Sequence, residues 1–413
     1  MSQWSFLGDL LTSVLERSRS ASSAHDDRSI QEMCYALLDT EGEIAGITLA
    51  QAILDRYAAL DAEGKRAFFA FLNEGLEIDF DALDGAIKAF KTSQAVPDYR
   101  TMVIAAEPRR QELLRRLNQP PGATHALVKM RADLLRAVKD LPDLGRTDQD
   151  FRHLLRSWFN RGFLILRQIN WDTPASILEK IVAYEAVHAI QDWDDLRRRL
   201  YPQDRRCFAF FHPSMPDEPL IFVEVALTET VPSSIQRVLS DTREQRVLKD
   251  TKVAVFYSIS NCQAGLGSIS FGNLLIKQVV AELRQELPGL DTFVTLSPIP
   301  KLTAWLRDTH SGPDAADLLK GKADPDTVRM VAADYLLNAK RSDGAPFDPV
   351  ARFHLGNGAQ IYAVHGAADM SKNGMAQSLG TMVNYQYDLA VIEQNHIKFV
   401  RDGEVAKSPN FRV

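Results

Sequence analysis

The chain of 413 residues is poor in cysteine, with three: Cys34, Cys207 and Cys262. They stand far apart, which excludes a disulfide-stapled scaffold and offers no metal-ligand spacing. A chain of this length buries a large core without covalent staples. Excess positive charge is also lacking. Forty-eight Lys and Arg against 54 Asp and Glu leave a net charge of −6, so a broad surface for nucleic acid is excluded. No apolar run reaches the roughly 20 residues that cross a bilayer. The nearest, Leu220–Leu227, is short and carries Glu224, which suits a buried strand. No His-Glu-x-x-His pair suggests zinc, and no Gly-x-Ser-x-Gly elbow suggests an α/β-hydrolase. Asp9 and Glu16 in the N-terminal amphipathic stretch match neither a secretory nor a mitochondrial leader. A reducing, cytoplasmic setting with no membrane is the expectation.

What is present is an ordinary globular composition, 45% hydrophobic and 25% charged. From Ser29 to about Asn160 the apolar residues recur at helical spacing. Leu49, Ala52, Ile53, Tyr57 and Leu60 make one stripe; Phe68, Phe69, Phe71 and Leu72 belong to another; Leu127, Met130, Leu134, Leu135 and Val138 form a third. The pattern changes at Arg161-Gly162. Strand-like runs follow at Phe163–Ile169, Cys207–Phe211, Leu220–Leu227, Val253–Ile259 and Thr292–Leu296, with helices between them and a strong one at Gly272–Leu287. The predicted fold is therefore α+β with two domains. Residues 1–160 form an all-α helical bundle, and residues 161–413 a mixed α/β domain whose order is compatible with the acetyltransferase (GNAT-type) fold.

Three places suit chemistry. The segment Cys262-Gln-Ala-Gly265-Leu-Gly267-Ser268-Ile-Ser270-Phe-Gly272-Asn273 joins a strand to the strongest helix of this half. Its glycines let backbone approach a ligand, and the first helical turn favours an anion such as a pyrophosphate. The same residues also suit a plain packing turn. Ser297 ends an apolar strand, where open α/β sheets bind their ligands; Ser-Pro is equally a turn signal. His354 precedes Leu355-Gly-Asn-Gly358, a backbone-rich setting that fits either a site or a buried core histidine.

A resemblance runs through most of residues 160–390. It is carried in order by Tyr184-Glu-Ala-Val-His188, Arg205-Arg-Cys207, Glu218-Pro-Leu220, Val225-Ala-Leu-Thr228, Phe256-Tyr-Ser-Ile-Ser260 and Leu275-Ile-Lys277. It continues through Leu296-Ser-Pro-Ile-Pro300, Pro349-Val-Ala-Arg-Phe-His-Leu355, Asn357-Gly-Ala359 and Asn384-Tyr-Gln-Tyr387. In these segments the chain resembles the malonyl-CoA decarboxylases. The resemblance implies conversion of malonyl-CoA to acetyl-CoA and carbon dioxide, with no metal or organic cofactor. It also implies an acetyltransferase-like catalytic domain and a helical domain that makes a homo-oligomer, a tetramer. By resemblance Ser297 and His354 are the catalytic pair, Ser258 and Tyr387 support them, and Gly267, Ser268, Ile269, Ser270, Phe271, Gly272 and Asn273 form the CoA-binding turn. Some family members have a glutamate where this chain has Ser270, so no carboxylate orients the site from there.

Loss of carbon dioxide from a malonyl thioester leaves an enolate, and a well-aimed donor at the thioester oxygen is worth roughly 3–4 kcal/mol. A histidine titrating near neutrality then suits proton delivery to the α-carbon. His354 is the expected donor, with Ser297 holding the carboxylate or relaying the proton. Two other functions fit the same residues: a serine-dependent malonyl-CoA thioesterase, and a non-catalytic CoA-sensing protein.

Overall fold

The computed structural model describes residues 27–243, 245–269, 275–309, 317–320 and 323–412. The chain divides into two compact units: the described parts of 1–163, 212–216 and 263–270, and those of 164–211, 217–262 and 271–413.

The first unit is helical because its apolar stripes have a partner face and its helix starts are capped. Ser29 and Glu32 form a reciprocal capping box at Ile30–Asp39, and Asp61 and Asp79 cap Ala62–Glu74 and Phe80–Ser93. Ile53, Tyr57, Phe68, Phe69, Leu72, Leu127, Met130 and Leu134 are buried together in its core. Helix Ala123–Ala137 also fixes a distant piece of chain. The fully buried Arg131 pairs with Asp148 at 2.8 Å and donates to the carbonyls of Gly265 at 2.6 Å and Gly267 at 2.9 Å. Glycine at 265 is required by this approach, since a Cβ there would lie 1.8 Å from the Val128 carbonyl oxygen.

The second unit is built on a nine-stranded sheet. Its strands are β1 (Ile165–Ile169), β2 (Arg205–Phe211), β3 (Ile221–Thr228), β4 (Val253–Asn261), β5 (Thr292–Thr295), β6 (Ser297–Pro298), β7 (Gln360–His365), β8 (Met382–Gln386) and β9 (Lys407–Arg412). The order is β1-β2-β3-β4-β5-β8-β7-β9, with β6 also on β8. β1 to β4 are antiparallel neighbours, whereas β4 and β5 run parallel.

Two irregularities shape what the sheet can hold. The β4–β5 ladder ends at Phe256↔Thr295, so β4 continues from Tyr257 to Asn261 with no rung on that side. On the other side β3 pairs Val225 with Phe256 and Glu224 with Ser258, which leaves Tyr257 as the extra residue of a bulge. On β3, Phe222, Glu224 and Ala226 share a face. Phe222 packs with Ile177, Leu178, Ile181 and Leu196 in one apolar cluster. Ala226 packs with Val255, Tyr257 and Val294 in another. Glu224 sits between them, fully buried, with Arg199 3.2 Å away.

Candidate active site

Each residue of the candidate site is delivered by its own local device. Ser297 follows β5 and pairs with Val383 of β8. His354 lies in helix Pro349–Gly356, which begins with proline in its first turn and with the buried Asp348 accepting from the N–H groups of Val350 and Ala351 at 2.9 and 3.1 Å. Tyr387 follows β8, held by its N–H donating to the Phe293 carbonyl at 2.8 Å.

These devices make a relay. His354 Nε2 is 3.2 Å from Ser297 Oγ, and His354 Nδ1 is 2.7 Å from the Tyr387 hydroxyl. The Ser297 hydroxyl donates to Thr295 Oγ1 at 2.8 Å, and Thr295 Oγ1 also accepts the Tyr385 N–H at 3.1 Å. A serine has one proton to give. With that proton on Thr295, Nε2 carries the hydrogen and donates to Ser297, and Nδ1 accepts from the phenol of Tyr387. The Tyr385 ring stacks on the imidazole at 4.6 Å and 23°, and Phe256 packs against Tyr387 at 6.3 Å.

Burial sets the charge state of this relay. All of Ser297, His354, Tyr385 and Tyr387 are buried. Desolvation lowers the His354 pKa to about 3 and pushes both tyrosine hydroxyls well above their ordinary value. The expectation of an imidazole titrating near neutrality is therefore corrected: in the free protein His354 is neutral.

Ser258 belongs to a different cluster. Its hydroxyl donates to Glu185 Oε1 and Oε2 at 2.9 and 2.7 Å. Glu185 Oε1 also accepts the N–H groups of Val187 and His188, each at 2.8 Å. Within the expected CoA turn, Ser270, Phe271, Gly272 and Asn273 lie outside the described residues. Of the remainder, Gly267 and Ile269 donate their N–H groups to Ala264 and Leu266 within the turn, and Ser268 takes a left-handed φ of 63°. Gly265 serves the close packing described above, so its small size is explained without a ligand.

Sequence reasoning missed Thr295, Tyr385 and Glu185. The available signal was parity: Thr295 and Tyr385 stand two positions before Ser297 and Tyr387, the spacing that returns a strand to the same face.

Residues 162–325 and 320–413 match the family model "Malonyl-CoA decarboxylase C-terminal domain", and residues 76–159 match "Malonyl-CoA decarboxylase N-terminal domain". The chain belongs to the malonyl-CoA decarboxylase family. A mitochondrial malonyl-CoA decarboxylase of Anser anser anser is 33% identical over 399 residues, covering 83% of this chain and 78% of the goose protein. The crystal structure of malonyl-CoA decarboxylase from Rhodopseudomonas palustris is similar at 49% identity and a TM-score of 0.86, over 92% of this chain and 97% of that one. That from Agrobacterium vitis is similar at 48% and 0.85, over 92% and 98%. The α+β layout expected from the sequence, a helical part and a mixed-sheet part, is the observed one. The enzymes whose names these relatives carry are carboxy-lyases. Among the described residues no group of three or more His, Cys, Asp or Glu could hold a metal ion, and no helix is long and apolar enough to cross a membrane.

Proposed function

We propose that this chain converts malonyl-CoA to acetyl-CoA and carbon dioxide, with the Thr295–Ser297–His354–Tyr387 relay as its proton-delivering machinery. The observation that carries the reading is the imidazole held on both nitrogens, at 3.2 Å from Ser297 and 2.7 Å from Tyr387. The bond between the α-carbon and the carboxylate breaks, and its electron pair passes to the α-carbon and the thioester oxygen. Around the relay Phe256, Tyr385 and Tyr387 exclude water, which weakens solvation of the carboxylate and favours its loss as neutral carbon dioxide. A malonyl carboxylate beside His354 raises the proton affinity of an imidazole that burial had lowered. The imidazolium so formed supplies its Nε2 proton through Ser297 to the α-carbon, and one proton is taken from solvent per turnover.

The phosphate end of the substrate is assigned to Gly267–Asn273, ahead of helix Leu275–Glu286. The reaction as written needs no metal or organic cofactor. We further propose a homo-oligomer, a tetramer, built through the helical half. There the hairpin Phe80–Ser93 and Val96–Ala105 leaves Phe80, Val96 and Ile104 exposed. A cytoplasmic location is proposed on the three unpaired, buried cysteines.

Product analysis after incubation with malonyl-CoA tests the activity. Acetyl-CoA and carbon dioxide in equal amounts are expected. Malonate with free CoA thiol would make the protein a thioesterase, and CoA binding with intact malonyl-CoA would make it a sensor.

A further inference from the structure

β5 and β6 meet β8 in one antiparallel register. Val294 pairs with Gln386 and Ser297 with Val383, which places Thr295 opposite Tyr385. Bonded pairs alternate along such a ladder. The Tyr387 N–H donates to the Phe293 carbonyl at 2.8 Å, so Thr295 and Tyr385 are the next pair due to exchange backbone bonds. The ladder has no rung there. Instead the Tyr385 N–H goes to the Thr295 hydroxyl at 3.1 Å, and the Thr295 carbonyl takes the side-chain amide of Asn384 at 2.6 Å. Side chains stand in for the backbone at both ends of the missing bond.

This exchange is fixed from the neighbouring strand. Thr295 and Asn384 are fully buried. A carbonyl only accepts, so the Asn384 nitrogen faces Thr295, and its Oδ1 accepts from His365 Nε2 on β7, 2.5 Å away. The threonine hydroxyl is thereby held where two donors converge, the Tyr385 N–H and the Ser297 O–H at 2.8 Å. Its two lone pairs are both used. With the Ser297 proton drawn to Thr295, His354 Nε2 is the donor across the 3.2 Å contact with Ser297. An imidazole in that form gives a proton to the serine. It cannot take one, and taking one is what activates a serine to attack a thioester.

We propose that Thr295 is a positioning residue that selects decarboxylation over hydrolysis, by directing the Ser297 proton away from His354. This assignment rests on the decarboxylase reading. Without the threonine oxygen, the Ser297 hydroxyl turns to His354 Nε2, and the imidazole carries its hydrogen on Nδ1 and donates to the Tyr387 oxygen. Ser297 Oγ then bonds to the thioester carbonyl carbon while its proton passes to Nε2. The carbon–sulfur bond breaks, its electron pair leaves with sulfur, and the His354 proton completes the CoA thiol. Water hydrolyses the malonyl ester left on Ser297 to malonate.

The test is Thr295→Val, which keeps the branched shape and loses the oxygen, read beside Thr295→Ser, which restores it. Nitrogen NMR of isotope-labelled histidine shows which nitrogen carries hydrogen, the His354 signal being the one lost in His354→Phe. The unmodified protein and Thr295→Ser are expected to hold that hydrogen on Nε2, and Thr295→Val on Nδ1. In Thr295→Val, kcat for carbon dioxide release is expected to fall about tenfold at similar KM, the worth of one hydrogen bond. Malonate and free CoA thiol are expected to appear among its products, and Thr295→Ser to recover most of the lost kcat. Hydrogen on Nδ1 in the unmodified protein overturns the proposal, as does a Thr295→Val variant whose products remain acetyl-CoA and carbon dioxide alone. Should Thr295→Val not fold, the smaller Thr295→Ala gives the same reading. The decarboxylase reading fails separately: the tautomer is read without substrate, so hydrogen on Nε2 in a protein that leaves malonyl-CoA intact keeps the proton direction and removes that reaction.

Discussion

Phe256 and Ser258 stand two positions apart on one strand and face opposite sides of the sheet. Phe256 is paired with Val225 and packs on Tyr387. Ser258 is paired with Glu224 and bonds Glu185. The inserted Tyr257 reverses the alternation, so the expected supporting serine joins the Glu185 cluster while the ring beside it joins the imidazole relay.

His354→Ala and Ser297→Ala remove the proton path. Each is expected to lower kcat by roughly 10²–10⁴-fold, the usual worth of positioned acid–base groups. Steady-state release of carbon dioxide measures it, and a loss under threefold in either variant removes that residue from the machinery.

Tyr387→Phe deletes only the phenol that bonds Nδ1. The ring that packs on Phe256 is retained, so the fold and KM are expected to hold. Without the donor the imidazole loses its preferred tautomer, and kcat is expected to fall by about tenfold or more. An unchanged kcat shows that Ser297 alone orients the ring.

Low pH is expected to destabilise the protein through its buried histidines. The unfolded His354 binds a proton as pH falls through about 6.5, whereas the folded one does so only near 3. Its stabilising contribution is therefore complete above about 6.5 and is lost progressively between there and 3. Such a gap is worth ~5 kcal/mol. His188, lowered to about 4 by burial, acts in the same direction. Urea unfolding from pH 7.5 to 4.5 checks this, and His354→Phe is expected to show a shallower fall. Equal slopes in the two proteins contradict the assigned burial.

Arg131→Met leaves Asp148 and two carbonyls without their buried donor. A loss of about 3–5 kcal/mol is expected, read as a lower urea midpoint. Gly265→Ala is expected to be at least as damaging, because its Cβ has no space beside Val128.

Local chemistry decided much of this protein. Ser29 with Glu32 and Asp348 with Pro349 start their helices wherever the chain goes. The stripes through Ile53, Tyr57, Phe68 and Leu127 required a helical core, and the apolar runs at Ile221 and Val253 required strands. The segments that resemble malonyl-CoA decarboxylases were legible as ordered short matches, and they drew attention to Ser297, His354 and Tyr387. Tertiary structure decided the rest. Register is a relation between strands, so the bulge at Tyr257, the side on which Ser258 lies and the place of His188 cannot be read from one strand's pattern. Arg131 meets a carbonyl 134 positions away, a distance over which no local signal extends. The neutral state of His354 has the same origin: exclusion of water is a sum over all that packs around a group, and no residue's immediate neighbours in sequence contain it.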